Sequence, residues 1–105
     1  MAERPRDETP EMRRLRKKID ALDRKIVGLL NERADLGREV GRAKVAAGRR
    51  AITDRERERE VLLRVSMANA GPLPQADLLA MYRRLIAATK ALEAQDRGRE
   101  ATDEQ

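Results

Sequence analysis

The chain has 105 residues, 41% of them charged, and its one aromatic residue is Tyr82. A single domain of that size, with small aliphatic side chains for its core, buries limited apolar surface, so support from a second chain is expected. Cysteine and histidine are both absent, which excludes a disulfide framework, the usual zinc sites and histidine-dependent acid–base catalysis. The net charge of +5 suits an anionic ligand, while the interleaving of 24 basic with 19 acidic residues, without stacking aromatics, speaks against nucleic acid.

No apolar run approaches the roughly 20 residues that span a bilayer, so no membrane partner is expected. Met1 to Glu11 is polar and holds Pro5 and Pro10, which does not read as a signal peptide. A cytoplasmic location is expected. Residues 1–10 and 97–105 read as disordered tails flanking one domain over 11–96.

Within that domain the periodicity is helical throughout. A first helix is expected from about Glu11 to Ala47. Its seam of Leu15, Ile19, Leu22, Ile26, Leu29, Arg33, Leu36, Val40 and Ala43 alternates steps of four and three, as in helices packed along their length. Gly48 is a fitting stop. Thr53 or Asp54 caps a second helix whose apolar face is Val61, Leu62, Val65 and Ala68. Asn69, Gly71, Pro72 and Pro74 break it. A third helix carries Leu78, Tyr82, Leu85, Thr89 and Leu92 and ends near Gln95. The expected fold is all-α, three helices per chain, with a first helix too long for its two partners. An intertwined helical-bundle homodimer would bury the excess.

Charged residues interrupt these apolar faces. Arg33 stands on the seam where Leu or Ile is expected, and a guanidinium withdrawn from water needs an anion. That anion could be an internal Asp or Glu, or a ligand, or the side chain could reach out to solvent. Lys44, 11 residues on, returns to the face of Arg33 at a distance of roughly 16 Å along the axis. Two long side chains could thus converge on one compact ligand. Arg16 points about 100° away from Arg33, so it could serve the same pocket only from the partner chain of an antiparallel dimer. On the third helix Thr89 and Glu93 share one face. Each also has a plain structural reading, Thr89 bonding back to a carbonyl and Glu93 solvated near a helix end. Asp54, Arg57 and Glu58 crowd the start of the second helix, where acidic side chains complement the helix dipole.

Taken together, the residues are similar to those of a known family. Leu15-Arg16-Lys17-Lys18-Ile19-Asp20-Ala21-Leu22-Asp23, then Leu29-Leu30-Asn31-Glu32-Arg33 and Val40-Gly41-Arg42-Ala43-Lys44, resemble the first helix of AroQ-type chorismate mutases, the all-helical class II. Asp54-Arg55-Glu56-Arg57-Glu58 resembles the opening of their second helix. Tyr82-Arg83-Arg84-Leu85-Ile86 with Thr89 and Glu93 resembles their third. Three features depart from the pattern. The connection from Lys44 to Asp54 is one residue longer, with Ala51-Ile52 in place of a common Pro-Val or Pro-Ile. Thr89 stands where serine is typical, keeping the hydroxyl and adding a methyl. Glu93 occupies a position that is Gln in some members and Glu in others.

The resemblance implies rearrangement of chorismate to prephenate in phenylalanine and tyrosine biosynthesis, with no cofactor or metal. Positioning and electrostatic stabilisation suffice for that chemistry. It implies that Arg33, and Arg16 supplied across the homodimer interface, hold the substrate carboxylates. Lys44 and Glu93 would bond the ether oxygen, Glu58 the ring hydroxyl, and Asp54, Arg57 and Thr89 would complete the pocket. Two other functions share this outline. One is isochorismate pyruvate lyase, with a similar helical pocket. The other is a non-catalytic regulatory module. The resemblance also admits an aromatic-pathway enzyme as an activating partner.

Overall fold

A computed structural model describes residues 7–49 and 54–103. Its elements are three α-helices, α1 (Pro10–Ala46), α2 (Arg55–Ala68) and α3 (Gln75–Asp103), with no strand among the described residues.

Each boundary has a local cause. Thr9 caps α1, its Oγ1 accepting from the Met12 amide at 3.1 Å. At the far end Gly48 adopts a φ of +78°, which an L side chain resists. There the Gly48 amide donates to Val45 O and the Arg49 amide to Lys44 O, both at 2.9 Å. This pair of bonds satisfies the last carbonyls in the manner of a Schellman motif. Asp54 caps α2 through its Oδ1, which accepts from the Arg57 amide at 3.0 Å. The other expected cap, Thr53, lies outside the described residues, as do Ala51 and Ile52. Between α2 and α3 the Asn69 amide group donates to Leu73 O at 3.0 Å and to Gln75 Oε1 at 2.8 Å. The Gln75 amide group donates back to Ser66 O at 3.1 Å, stitching the turn.

The third helix differs from expectation. It has 29 residues and runs to Asp103, past the end expected near Gln95, so residues 97–103 are helical rather than a disordered tail. No apolar stripe marks this stretch, but it contains no proline, and a long-range ion pair anchors α3 immediately before it. Arg38 Nε and Nη2 donate to the two oxygens of Asp96 at 2.9 and 3.0 Å. Hydrophobic periodicity could not reveal an anchor made of charge.

The chain divides into two compact units, Met1–Arg33 and Ala34–Gln105. In the first, the described residues are α1 as far as Arg33 and the segment that caps it, and the seam residues Leu15, Ile19, Leu22, Ile26 and Leu29 are 45% to 63% exposed. In the second, α2 packs on α3. Val61, Leu62 and Val65 of α2 and Leu78, Tyr82, Leu85, Ile86 and Leu92 of α3 are half-buried. No apolar side chain among the described residues is fully buried.

Within the second unit the last turns of α1 approach α3 through glycine. A Cβ placed on Gly41 would stand 2.9 Å from Glu93 Cγ, and one placed on Gly37 would overlap the Thr89 methyl. Gly41 itself is buried. The two glycines and the two residues they meet are each four positions apart, so one turn of α1 matches one turn of α3.

Candidate active site

Glu93 is the buried charged residue of the described chain, 7% exposed. It reaches this position because Gly41 presents bare backbone to its stem. Lys44, one turn beyond Gly41, folds back over it. Its side chain is 11% exposed and its Nζ lies 3.8 Å from Glu93 Oε2. That oxygen accepts no hydrogen bond among the described residues. The two groups are therefore close enough to attract, yet too far apart to satisfy each other.

Lys44 also lines a cleft of about 390 Å³ with Val40, Ala43, Ala47, Arg49, Asp54 and Arg57. The helix end and the cap of α2 thus face a common space, apolar along α1 and charged at the loop. Arg49 Nη2 stands 3.9 Å from Asp54 Oδ2. Arg57 is exposed, and its Nη1 lies 3.2 Å from Glu60 Oε1. Cations outnumber carboxylates in this lining, which favours an anionic occupant.

Two further residues of the expected set take part in contacts of their own. Glu58 is held by Lys90, whose Nζ stands 2.7 Å from its Oε1. Thr89 Oγ1 donates to Leu85 O at 3.0 Å, so its proton is committed to its own helix and its lone pairs remain available as acceptors. Of the residues in the first unit, Arg33 is half-buried and Arg16 is exposed, paired with Glu8 at 2.8 Å. The second unit brings Lys44 to Glu93, and places Lys44, Asp54 and Arg57 around one cleft.

Sequence reasoning missed three participants. Lys90 precedes Glu93 by three residues and shares its face, a signal that was present. Asp96 follows Glu93 by three and continues that face toward Arg38. The Arg38 guanidinium holds the Asp96 carboxyl below its ordinary value, through the hydrogen bonds first. Arg49 in the cleft had no periodic signal, because it follows the helix end. Among the described residues no group of His, Cys, Asp or Glu could hold a metal ion.

The family model for chorismate mutase type II matches residues 15–94. The chain belongs to this family. The match takes in every expected site residue from Arg16 to Glu93. Among chorismate mutase relatives, the bifunctional chorismate mutase/prephenate dehydratase of Aquifex aeolicus is 40% identical over 87 residues, covering 79% of this chain and 24% of that protein. The protein of the same description from Escherichia coli is 49% identical over 73 residues, covering 69% of this chain and 19% of its own. The chain thus spans about a quarter or less of the length of these curated relatives. Among solved structures, chorismate mutase (form II) from Thermus thermophilus superposes with a TM-score of 0.76 at 32% identity, covering 80% of this chain and 94% of that one. As a chorismate mutase type II chain it shares the all-α, three-helix architecture expected from the periodicity.

Proposed function

We propose that this chain rearranges chorismate to prephenate, and that Lys44 and Glu93 act on the oxygen of the breaking ether bond. The observation that carries this reading is the Lys44–Glu93 pair, with Glu93 buried and the two groups 3.8 Å apart, in which Glu93 Oε2 accepts no hydrogen bond. An oxygen atom about 2.8 Å from each would bridge that gap. Lys44 Nζ and a protonated Glu93 would both donate to it as the C–O bond breaks and the new C–C bond forms within the same molecule. No proton or electron is exchanged with the protein, so fixed donors suffice, placed where negative charge develops.

The remaining assignments extend the family resemblance to this chain. Arg33 and Arg16 of the partner subunit hold the two carboxylates, for which guanidinium forks are suited. Glu58 bonds the ring hydroxyl, and Asp54, Arg57 and Thr89 complete the pocket. The reading requires a homodimer, and the exposed seam of Leu15, Ile19, Leu22, Ile26 and Leu29 supports one. It also includes a cytoplasmic location and an aromatic-pathway enzyme as activating partner. No helix of the described residues is long and apolar enough to cross a membrane.

The deciding experiment incubates the purified protein with chorismate and, separately, with isochorismate. Prephenate from chorismate is the expected product. Pyruvate and salicylate from isochorismate alone would replace the mutase with the lyase. Turnover of neither substrate, alone or with an aromatic-pathway enzyme added, would overturn the enzymatic reading.

A further inference from the structure

We propose that Gly37 and Thr89 form a steric lock that sets the spacing of α1 and α3 and so positions Glu93 against Lys44. This rests on the chorismate mutase reading, because it gives the lock its catalytic consequence. Glycine is the poorest helix former after proline, so local preference does not explain Gly37 in the interior of α1. Its surroundings do. A Cβ there would overlap Thr89 Cγ2, whereas Thr89 Cβ and Oγ1 would stand at 3.7 and 4.0 Å. The methyl alone fills the space that the missing side chain leaves.

That methyl has little freedom to turn away. A threonine in a helix has few χ1 states, one of them set by a bond from its hydroxyl to the preceding turn. Here Oγ1 donates to Leu85 O at 3.0 Å, which directs Cγ2 at the α1 backbone. One turn further along both helices, Gly41 meets the stem of Glu93, and beyond it Lys44 Nζ faces the carboxyl. The two contacts are stacked. Carbon atoms rest about 3.5–4.0 Å apart, so a methyl group added at position 37 must drive the helices apart by about 1 Å. Glu93 moves with α3, and its donor then misses an oxygen already held by Lys44. Gly37 is thus a positioning residue, needed because residue 89 is threonine. With serine at 89, alanine at 37 has room.

The experiment is a four-protein cycle of the parent, Gly37→Ala, Thr89→Ser and the double variant, with kcat, KM and melting temperature measured for each. Misplacement of a reacting group by about 1 Å lowers rates by up to about 100-fold. Gly37→Ala is therefore expected to lower kcat by about 10- to 100-fold with KM changed less than about 3-fold. Adding Thr89→Ser to it should bring kcat within about 3-fold of the Thr89→Ser single variant, a non-additive result expected only of residues in contact. If Gly37→Ala does not fold, a folded double variant supports the lock and an unfolded one overturns it. Additive effects overturn it, as does a Gly37→Ala protein that melts earlier while keeping its kcat. If the parent leaves chorismate untouched, the mutase reading fails. The melting temperatures then decide the lock alone, rescue supporting it and additivity overturning it.

Discussion

Between Pro10 and Arg33, α1 leaves its large aliphatic side chains roughly half exposed, and its ion pairs Arg14–Glu11 and Arg16–Glu8 join near neighbours in sequence. From Ala34 onward the order is reversed. The second unit also exposes apolar side chains, Met67 at 78% among them. Its buried charged residue, however, is Glu93 at 7%, and the side chains of Lys44 and Asp96 are only 11% and 13% exposed in their ion pairs. Its ion pairs Arg38–Asp96, Lys44–Glu93 and Lys90–Glu58 join different helices. Apolar periodicity therefore identifies a face that needs covering without providing the cover. Glu93 is buried where Gly41 lets α1 approach α3 closely.

The contrast can be broken most forcefully on the exposed seam. Ile26→Glu places a charge where the proposed dimer excludes water, with a penalty of several kcal/mol. The expected result is a monomer by sedimentation, with chorismate turnover lost because Arg16 no longer comes from a partner. Met67→Glu should leave the assembly unchanged, and an unaltered dimer in Ile26→Glu would place the interface elsewhere.

Next in size is the buried pair. Lys44→Ala is expected to lower kcat/KM by about 10²–10³-fold, as for removal of one donor to a developing oxyanion. Glu93→Gln tests the second donor differently. Glutamine keeps an N–H donor at this position and alanine keeps none, so Glu93→Gln should retain kcat/KM about 10-fold or more above that of Glu93→Ala. Equal losses in the two variants would remove Glu93 from the ether oxygen.

Glycines of the same helix offer a smaller and cleaner contrast. An added Cβ at Gly28 meets nothing within 4 Å, whereas at Gly41 it crowds Glu93. Gly28→Ala should therefore stabilise the fold by up to about 1 kcal/mol through helix propensity. Gly41→Ala should destabilise it by about 1–3 kcal/mol through overpacking. Thermal denaturation distinguishes the signs.

The smallest effect concerns the anchor of α3. Because Arg38 depresses the folded Asp96 carboxyl, the stabilisation is present above the ordinary value of 3.8 and is lost as pH falls through the lower folded value. Arg38→Gln should lower the melting temperature slightly at neutral pH and make it less sensitive to acidification below about pH 4. The effect is modest because the Arg38 side chain is a third exposed and screened by solvent.

Local chemistry determined much of this protein. Steps of three and four, Gly48, Asp54 and the Asn69–Pro74 break placed the helices, because capping, φ and periodicity act within a few residues. The motifs around Arg33, Lys44, Asp54 and Glu93 identified the family for the same reason. What the sequence could not settle depended on neighbours distant along the chain. The anchor of α3 at Asp96 comes from Arg38, 58 positions away in sequence. Lys90 as the partner of Glu58 and the contact of Gly37 with the Thr89 methyl likewise exist only once α3 has packed. Periodicity says which way a side chain faces. The distance to what it faces is a property of helix packing, and tertiary structure alone decided it.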